Sequence, residues 1–253
     1  MRSSPDRVLH VHLSDSLPGY VSRRLLAAAQ DAGVVLALRF DTLYDENLLR
    51  LLGELDAYVF VIQDPAGSTK VRHYLAALAD LSIPVSPVLR QDLARQAWSL
   101  RQSGTDQQRG ARLEALLAFL LSQVADFKVF SRNHRTETAE IDIVVQVDNF
   151  SSRCWSSPGV PFVHVEAKNW TATVGQPQMS LLIRRLQTAR GRAKLGLLFA
   201  TSTFSDEARM EELRLSETDL CVAMFDADGI ETLFEANDLD QTLEEAIGRA
   251  MLR

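Results

Sequence analysis

Residues Glu140–Val147 read EIDIVVQV and residues Pro161–Lys168 read PFVHVEAK, and these two stretches decide the fold of the second half of the chain. Side chains of both alternate between apolar and mixed positions with a period of two, which predicts two β-strands. Asp142 lies among positions of the first strand that should be buried. Glu166 and Lys168 share one face at the end of the second strand. The two strands therefore predict a sheet that carries ionisable side chains near its centre.

The ionisable side chains of these strands need a partner, because a charge in a central strand is unfavourable unless it is paired or bound to a metal ion. The carboxylates of Asp142 and Glu166, with the main-chain carbonyl of Ala167, are the oxygen donors that Mg²⁺ prefers. Lys168 could orient a water or neutralise charge that develops on phosphorus. This chemistry favours phosphodiester hydrolysis with Mg²⁺ or Mn²⁺. The alternative is a structural ion pair between Glu166 and Lys168 in an inactive protein.

A helix is predicted before these strands, from about Gly110 to Ala125. Apolar residues recur along it at helical spacing and form a wide stripe. The stripe consists of Leu113, Leu116, Leu117, Leu120, Leu121 and Val124. Glu114 lies at the border of this stripe, so its carboxylate either points along the edge of the core toward a site or faces solvent.

The order of these elements resembles the PD-(D/E)xK nuclease superfamily, and most closely the Mrr-like restriction endonucleases. In that family a helix glutamate precedes an aspartate on one strand and an (E/Q)xK triplet on the next. The corresponding pieces here are RLEALLAFL, EIDIVV and VHVEAKNW, and the similarity continues through the helix Gln178–Arg190 and the strand LGLLFATS, so that it covers about residues 108–225. The resemblance implies a restriction-endonuclease-like α/β/α domain that cuts DNA with Mg²⁺ or Mn²⁺.

The resemblance also assigns roles to individual residues. The implied catalytic residues are Glu114, Asp142, Glu166 and Lys168, with Asp142 and Glu166 as metal ligands. Gln178 matches a glutamine often seen on the next helix. Glu140 stands before the strand aspartate, where the family usually has a small residue. Whether Glu140 adds a ligand stays open.

The charge of the chain is unevenly distributed, although its net value is −6. Residues 153–204 hold seven Lys or Arg and one acid, whereas residues 205–253 hold four Lys or Arg and fourteen acids. A basic segment in an acidic protein indicates a local phosphate-binding face, or else a solvated helix surface. The candidate nucleic-acid-binding residues are Arg184, Arg185, Arg190, Arg192 and Lys194.

The first half of the chain alternates strands and helices, which predicts a parallel sheet of flavodoxin-like, loosely TIR-like, architecture. Strands are predicted at Arg7–Leu13, Val34–Phe40 and Ala57–Ile62, a helix at Ser68–Leu81, and an edge strand at Ile83–Leu89. No convincing catalytic residues accompany this pattern. A sensing or oligomerisation module, with a small-molecule or protein trigger, and a purely structural domain therefore both remain open.

Three segments are expected along the chain: an N-terminal domain at 1–90, a linker at 91–109 and a nuclease domain at 110–253. The whole is expected to be a cytoplasmic endonuclease that defends against foreign DNA, acts as a homodimer or higher oligomer, and does not enter a membrane. One alternative is an inactive nuclease-fold protein that binds nucleic acid or a partner. Another is a signalling protein that senses a nucleotide through its N-terminal domain.

Overall fold

The computed structural model describes two short segments near the N-terminus and most of the chain beyond residue 71. The described residues are 8–13, 35–40, 72, 75–76, 78–82, 84–85, 87–135, 140–148 and 152–252. No helix in this described part is long and apolar enough to cross a lipid bilayer.

Beyond residue 100 the elements follow in the order helix, three strands, helix, strand, helix, strand and two terminal helices. The elements are β1 (Val8–Leu13), β2 (Val35–Phe40), α1 (Pro87–Ser99), α2 (Asp106–Ser122), β3 (Phe127–Arg135), β4 (Glu140–Val147), β5 (Phe162–Lys168), α3 (Gln176–Thr188), β6 (Ala193–Ala200), α4 (Asp206–Leu213), β7 (Cys221–Phe225), α5 (Ala227–Glu235) and α6 (Leu239–Met251), with 3₁₀ turns at Cys154–Ser156 and Arg214–Glu217.

The first two strands pair in parallel, with Val8 opposite Val35. Their presence and direction agree with the start of the predicted parallel sheet. The described residues between 72 and 80 are helical, as predicted for Ser68–Leu81. The third predicted strand, Ala57–Ile62, lies outside the described residues, so the flavodoxin-like architecture stays a prediction.

The predicted edge strand Ile83–Leu89 is wrong, because α1 begins at Pro87. Proline suits the first turn of a helix, where its fixed φ is favourable and its missing N–H would have no partner. Beyond it, the apolar spacing of Leu93, Ala97 and Trp98 is helical, and all three are buried in the main core. Residues 91–99 of the predicted linker are therefore part of a packed helix.

The main sheet has five strands in the order β3-β4-β5-β6-β7. Its first three strands are antiparallel neighbours, and β5, β6 and β7 run parallel. Helix α3 connects β5 to β6, and α4 lies between β6 and β7. This mixed five-stranded sheet is consistent with the predicted restriction-endonuclease-like domain.

The two faces of the sheet carry different helices. The leucine stripe of α2 is buried against one face, together with Val145 and Val165. Helix α3 covers the other face, where Leu182 and Leu186 pack with Leu198. The apolar stripe of α2 and the alternation in β4 and β5 are thus confirmed. The polar side chains of β4 and β5 lie on the face covered by α3.

Because α1 completes the core, we expect a fragment of residues 84–253 to be more stable than one of residues 104–253. The shorter fragment loses the buried side chains of Leu93 and Trp98. At about 1.5–3 kcal/mol for each large apolar side chain, its free energy of unfolding should be lower by about 3–6 kcal/mol. Urea unfolding of the two fragments measures this difference. Equal stabilities would show that α1 contributes nothing to the domain.

Candidate active site

The pairing of β4 with β5 brings the two carboxylates of the predicted motif together. Ile143 pairs with Val165, and the same antiparallel register continued by one residue places Asp142 opposite Glu166. The side chain of Asp142 reaches across to β5, where its Oδ2 accepts a hydrogen bond of 2.8 Å from the N–H of Ala167. Asp142 is thereby held by the main chain of the strand that carries Glu166.

The carboxylate of Glu166 is almost fully buried, and it is held between two cations. Glu166 is 2% exposed. Its Oε1 accepts from Nζ of Lys168, and its Oε2 accepts from Nη1 of Arg185 in the last turn of α3. Both cationic side chains are also largely buried, with exposures of 16% and 11%. A buried carboxylate is stable only with such compensation.

The environment of Asp142 disfavours its charge. Burial, and then repulsion from Glu166, raise its pKa to about 6, while the Ala167 N–H and Lys168 act in the opposite direction. Two neighbouring carboxylates that repel each other form a site where additional positive charge is stabilising.

Glu114 lies near enough to this site for its charge to interact with Asp142 and Lys168, and its catalytic role stays a prediction. It is half-buried on α2. Burial raises its pKa, while a hydrogen bond from Asn133 and the charge of Lys168 lower it. Glu114 in turn raises the pKa of Asp142. No sequence pattern indicated that Asn133 would contact Glu114. Its main chain adopts a left-handed conformation, with a φ of 51°.

The two residues after Lys168 contribute to the site, although the sequence analysis gave them no role. Asn169 is buried, and its Nδ2 donates to the carbonyls of Arg101 and Arg109, both at 2.8 Å. The side chain of Trp170 is 42% exposed, and its ring centroid lies 5.8 Å from Nζ of Lys168. The short sequence KNW does not by itself indicate whether its asparagine is buried or exposed to solvent.

A buried histidine lies on the same strand. His164 is 8% exposed, and its Nδ1 has no hydrogen-bond partner among the described residues. Burial, followed by the nearby charge of Arg185, lowers its pKa to about 4. The imidazole is therefore neutral and packed at neutral pH.

The accessory residues lie at the margins of the site. Gln178 is half-buried in the first turn of α3. Glu140 is exposed at the first position of β4, and its charge raises the pKa of Glu114. Their roles as ligand or accessory groups stay predictions.

The predicted basic surface is divided by the fold. Lys168 lies opposite Ala200 at one end of the β5–β6 pair, and β6 begins at the other end. Arg190, Arg192 and Lys194 therefore lie away from Lys168, and Lys194 pairs with an aspartate just before β7 at 2.7 Å. These three do not surround the carboxylates. Their binding of nucleic acid stays a prediction.

Two other members of the basic group are neighbours with different surroundings. Arg184 is exposed, as a phosphate-contacting residue should be. Arg185 is instead bound to Glu166. In the described state its guanidinium supports the carboxylate and is not a free surface cation.

The donor set suits a divalent cation. Across the described ranges, no three His, Cys, Asp or Glu side chains come together as a metal-binding cluster. The protein offers two carboxylates, from Asp142 and Glu166, and the carbonyl of Ala167. Mg²⁺ is commonly held by one or two carboxylates and keeps several waters, so it does not need a third side chain. The two cations that compensate Glu166 show the same demand for positive charge.

A comparison with protein families agrees with this geometry. The family model of the Mrr_cat restriction endonuclease domain matches residues 105–234, slightly more than half of the chain. The chain belongs to this restriction endonuclease family. The matched range begins at the N-cap of α2, ends in α5 and contains all four predicted catalytic residues. It confirms the resemblance to Mrr-like nucleases. No curated protein matches the chain.

The pair Arg184 and Arg185 provides a matched test of the buried network in this restriction endonuclease domain. Arg185→Ala removes one of two cations from buried Glu166, so we expect the free energy of unfolding to fall by on the order of 3 kcal/mol. Arg184→Ala changes an exposed neighbour and should shift it by less than about 0.5 kcal/mol. Urea unfolding of both variants measures the difference. Equal effects would contradict the buried ion pair.

The raised pKa of Asp142 predicts a pH-dependent stability. Below the ordinary pKa of 3.8, the carboxyl of Asp142 is protonated and neutral in both the folded and the unfolded protein. As pH rises from there through the folded-state pKa of about 6, the unfolded chain ionises more readily, so the folded protein loses stability. Asp142→Asn does not ionise, so without divalent ions it should gain up to about 3 kcal/mol relative to wild type between pH 4 and pH 8. Urea unfolding at both pH values measures this gain. A difference independent of pH would refute it.

Proposed function

We propose that this protein is a metal-dependent endonuclease that hydrolyses phosphodiester bonds in DNA. The observation that carries the proposal is the buried constellation of Asp142, Glu166 and Lys168 on β4 and β5, with Asp142 bonded to the N–H of Ala167. The family of the domain supports nuclease activity. The choice of metal rests on the chemistry of these residues, and the choice of DNA rests on the restriction endonuclease family.

The proposed mechanism assigns each side chain one task. Asp142, Glu166 and the carbonyl of Ala167 would hold Mg²⁺ or Mn²⁺, which lowers the pKa of a bound water and polarises a phosphoryl oxygen. Lys168 donates to the water or to a phosphate oxygen and stabilises the charge of the transition state. Glu114 places further negative charge beside Lys168 and Asp142, and so favours the binding of cations.

Arg185 acts on this mechanism through Glu166. Its guanidinium engages Oε2 of that carboxylate, so the side chain of Glu166 keeps one orientation when Lys168 turns toward substrate. Fixed orientation matters because a small misplacement of a reacting group lowers the rate strongly. Arg185 is therefore a positioning residue in this proposal.

The biological setting that we propose is defence against foreign DNA. A nuclease that cuts both strands of a duplex gains from two active sites, which a symmetric homodimer supplies. Residues 1–90 would then provide assembly or respond to a trigger. The proposed location is the cytoplasm, where such DNA would be met.

A second function is favoured by one observation. Both oxygens of Glu166 are engaged by protein cations, as they would be in an inactive nuclease-fold protein that binds nucleic acid or a partner. Cleavage separates the two functions. Only the active enzyme degrades plasmid, linear duplex, single-stranded DNA or RNA when Mg²⁺ or Mn²⁺ is added.

Asp142→Ala, Glu166→Ala and Lys168→Ala should each reduce cleavage by about 100-fold or more, because each removes a group that acts on the metal or on transition-state charge. Glu114→Ala should cause a smaller loss. Glu207→Ala changes an exposed acid at the start of α4 and serves as the control. Initial rates on plasmid DNA measure these effects.

The same variants test metal binding independently of activity. Mg²⁺ or Mn²⁺ should raise the thermal unfolding temperature of wild type and of Glu207→Ala, but not of Asp142→Ala, because binding to the folded state alone stabilises it. Cleavage by folded Lys168→Ala at the wild-type rate would remove the catalytic assignment. A metal shift that persists in Asp142→Ala would place the ion elsewhere.

A further inference from the structure

An exposed aromatic ring lies beside the predicted catalytic lysine. Trp170 is 42% exposed, although tryptophan is one of the largest apolar side chains. The other two tryptophans of the chain, Trp98 and Trp155, are 5% and 1% exposed. The ring of Trp170 faces the ammonium of Lys168, with 5.8 Å between Nζ and the ring centroid. A flat apolar surface is thus available next to the group that would contact a phosphate.

The main chain that carries this ring is fixed on both sides. The Oγ1 hydroxyl of Thr201 lies 3.2 Å from the carbonyl of Trp170 and 2.9 Å from Oδ1 of Asn169, and its one hydrogen is shared between these two acceptors. The amide of Asn169 is bonded in turn to the carbonyls of Arg101 and Arg109. The main chain at Trp170 is therefore already ordered, so a ligand that contacts the ring does not have to order it, and the entropic penalty of binding is lower.

Nucleobases are the ligands that suit an exposed ring beside a phosphate-binding cation. Stacking of a base on an aromatic side chain is favourable and tolerates any base, because every base has a π-face. Along one strand the nucleotides rise by about 3.4 Å each, so a base near a phosphate at Lys168 is within reach of a ring 5.8 Å away. Inside an intact duplex both faces of a base are already covered by its neighbours.

We propose that Trp170 stacks on a nucleobase next to the phosphate held at Lys168, and that the preferred substrate carries an unpaired or extruded base at that point. This inference rests on the proposed nuclease function and adds the substrate class. Single strands, bulged duplexes and duplexes with a mispaired base present such a base without the unpairing that an intact duplex requires.

The test compares three DNAs of the same sequence: a perfect duplex, the duplex with unpaired bases in one strand, and the single strand. Full-length wild type, Trp170→Ala and Trp170→Phe are assayed for cleavage in Mg²⁺ and for binding by fluorescence anisotropy in Ca²⁺. Phe130→Ala is the matched control, because Phe130 is a 57% exposed aromatic residue whose ring packs on Phe162, at the end of β5 remote from Lys168.

Wild type should prefer the two DNAs with unpaired bases. Trp170→Ala should lose about tenfold in binding and cleavage of those DNAs, and less on the perfect duplex, because one stacked base is lost. Trp170→Phe should retain most of the preference, since its ring still stacks. Phe130→Ala should resemble wild type.

Fluorescence provides a second readout that a purely structural role would not change. Acrylamide should quench Trp170 in free protein, because the other tryptophans are buried, and binding of single-stranded DNA should protect it. An abasic single strand, which keeps the phosphates but has no bases, should not protect it.

Two results would overturn the inference about Trp170, and a third would overturn the proposed nuclease function as well. Equal rates and affinities of Trp170→Ala and wild type on all three DNAs would remove Trp170 from the substrate site. A uniform loss on all three, with equal protection by abasic DNA, would reduce its role to structural support. If wild type cleaved none of these DNAs with any divalent metal, the proposed function itself would fail, and the substrate inference with it.

Discussion

The buried carboxylate of Glu166 is the constraint on which the rest of the domain depends. It lies on a central strand at 2% exposure, where an unpaired charge would be strongly destabilising. Lys168 must therefore share its face two residues later, and α3 must cross that face so that Arg185 reaches the same group. Asp142 faces it from the neighbouring strand. The parallel connection from β5 through α3 to β6 is thus also the connection that stabilises the site.

The fold of the second half was predictable because its signals are local. The period of two in β4 and β5, and the leucine stripe of α2, each follow from a few neighbouring residues. The position of α1 was not predictable in this way, because Pro84 and Pro87 are compatible with an edge strand and also with the start of a helix. Only the burial of Leu93 and Trp98 against the core distinguishes the two.

The site shows the same division. The proximity of Asp142, Glu166 and Lys168 could be predicted from strand alternation and the order of the motif. The partner of Arg185 could not be predicted from the sequence, because an arginine on the helix after the motif is compatible with an exposed position and also with a buried ion pair. The separation of Arg190 and Arg192 from the site depends on the parallel pairing of β6 with β5. That pairing places the start of β6 at the end of β5 remote from Lys168. Long-range contacts of this kind have no signature within a short stretch of sequence.

The hydrogen bonds of Asn169 link the residue that follows Lys168 to Arg101 in the α1–α2 connection and to Arg109 near the start of α2. Its amide holds the carbonyls of Arg101 and Arg109, while α1 itself is buried in the core. A displacement of α1 must therefore either break these bonds or pull on the end of β5. The amide of Asn169 thus makes the position of the end of β5 depend on the helices that precede the sheet in the chain.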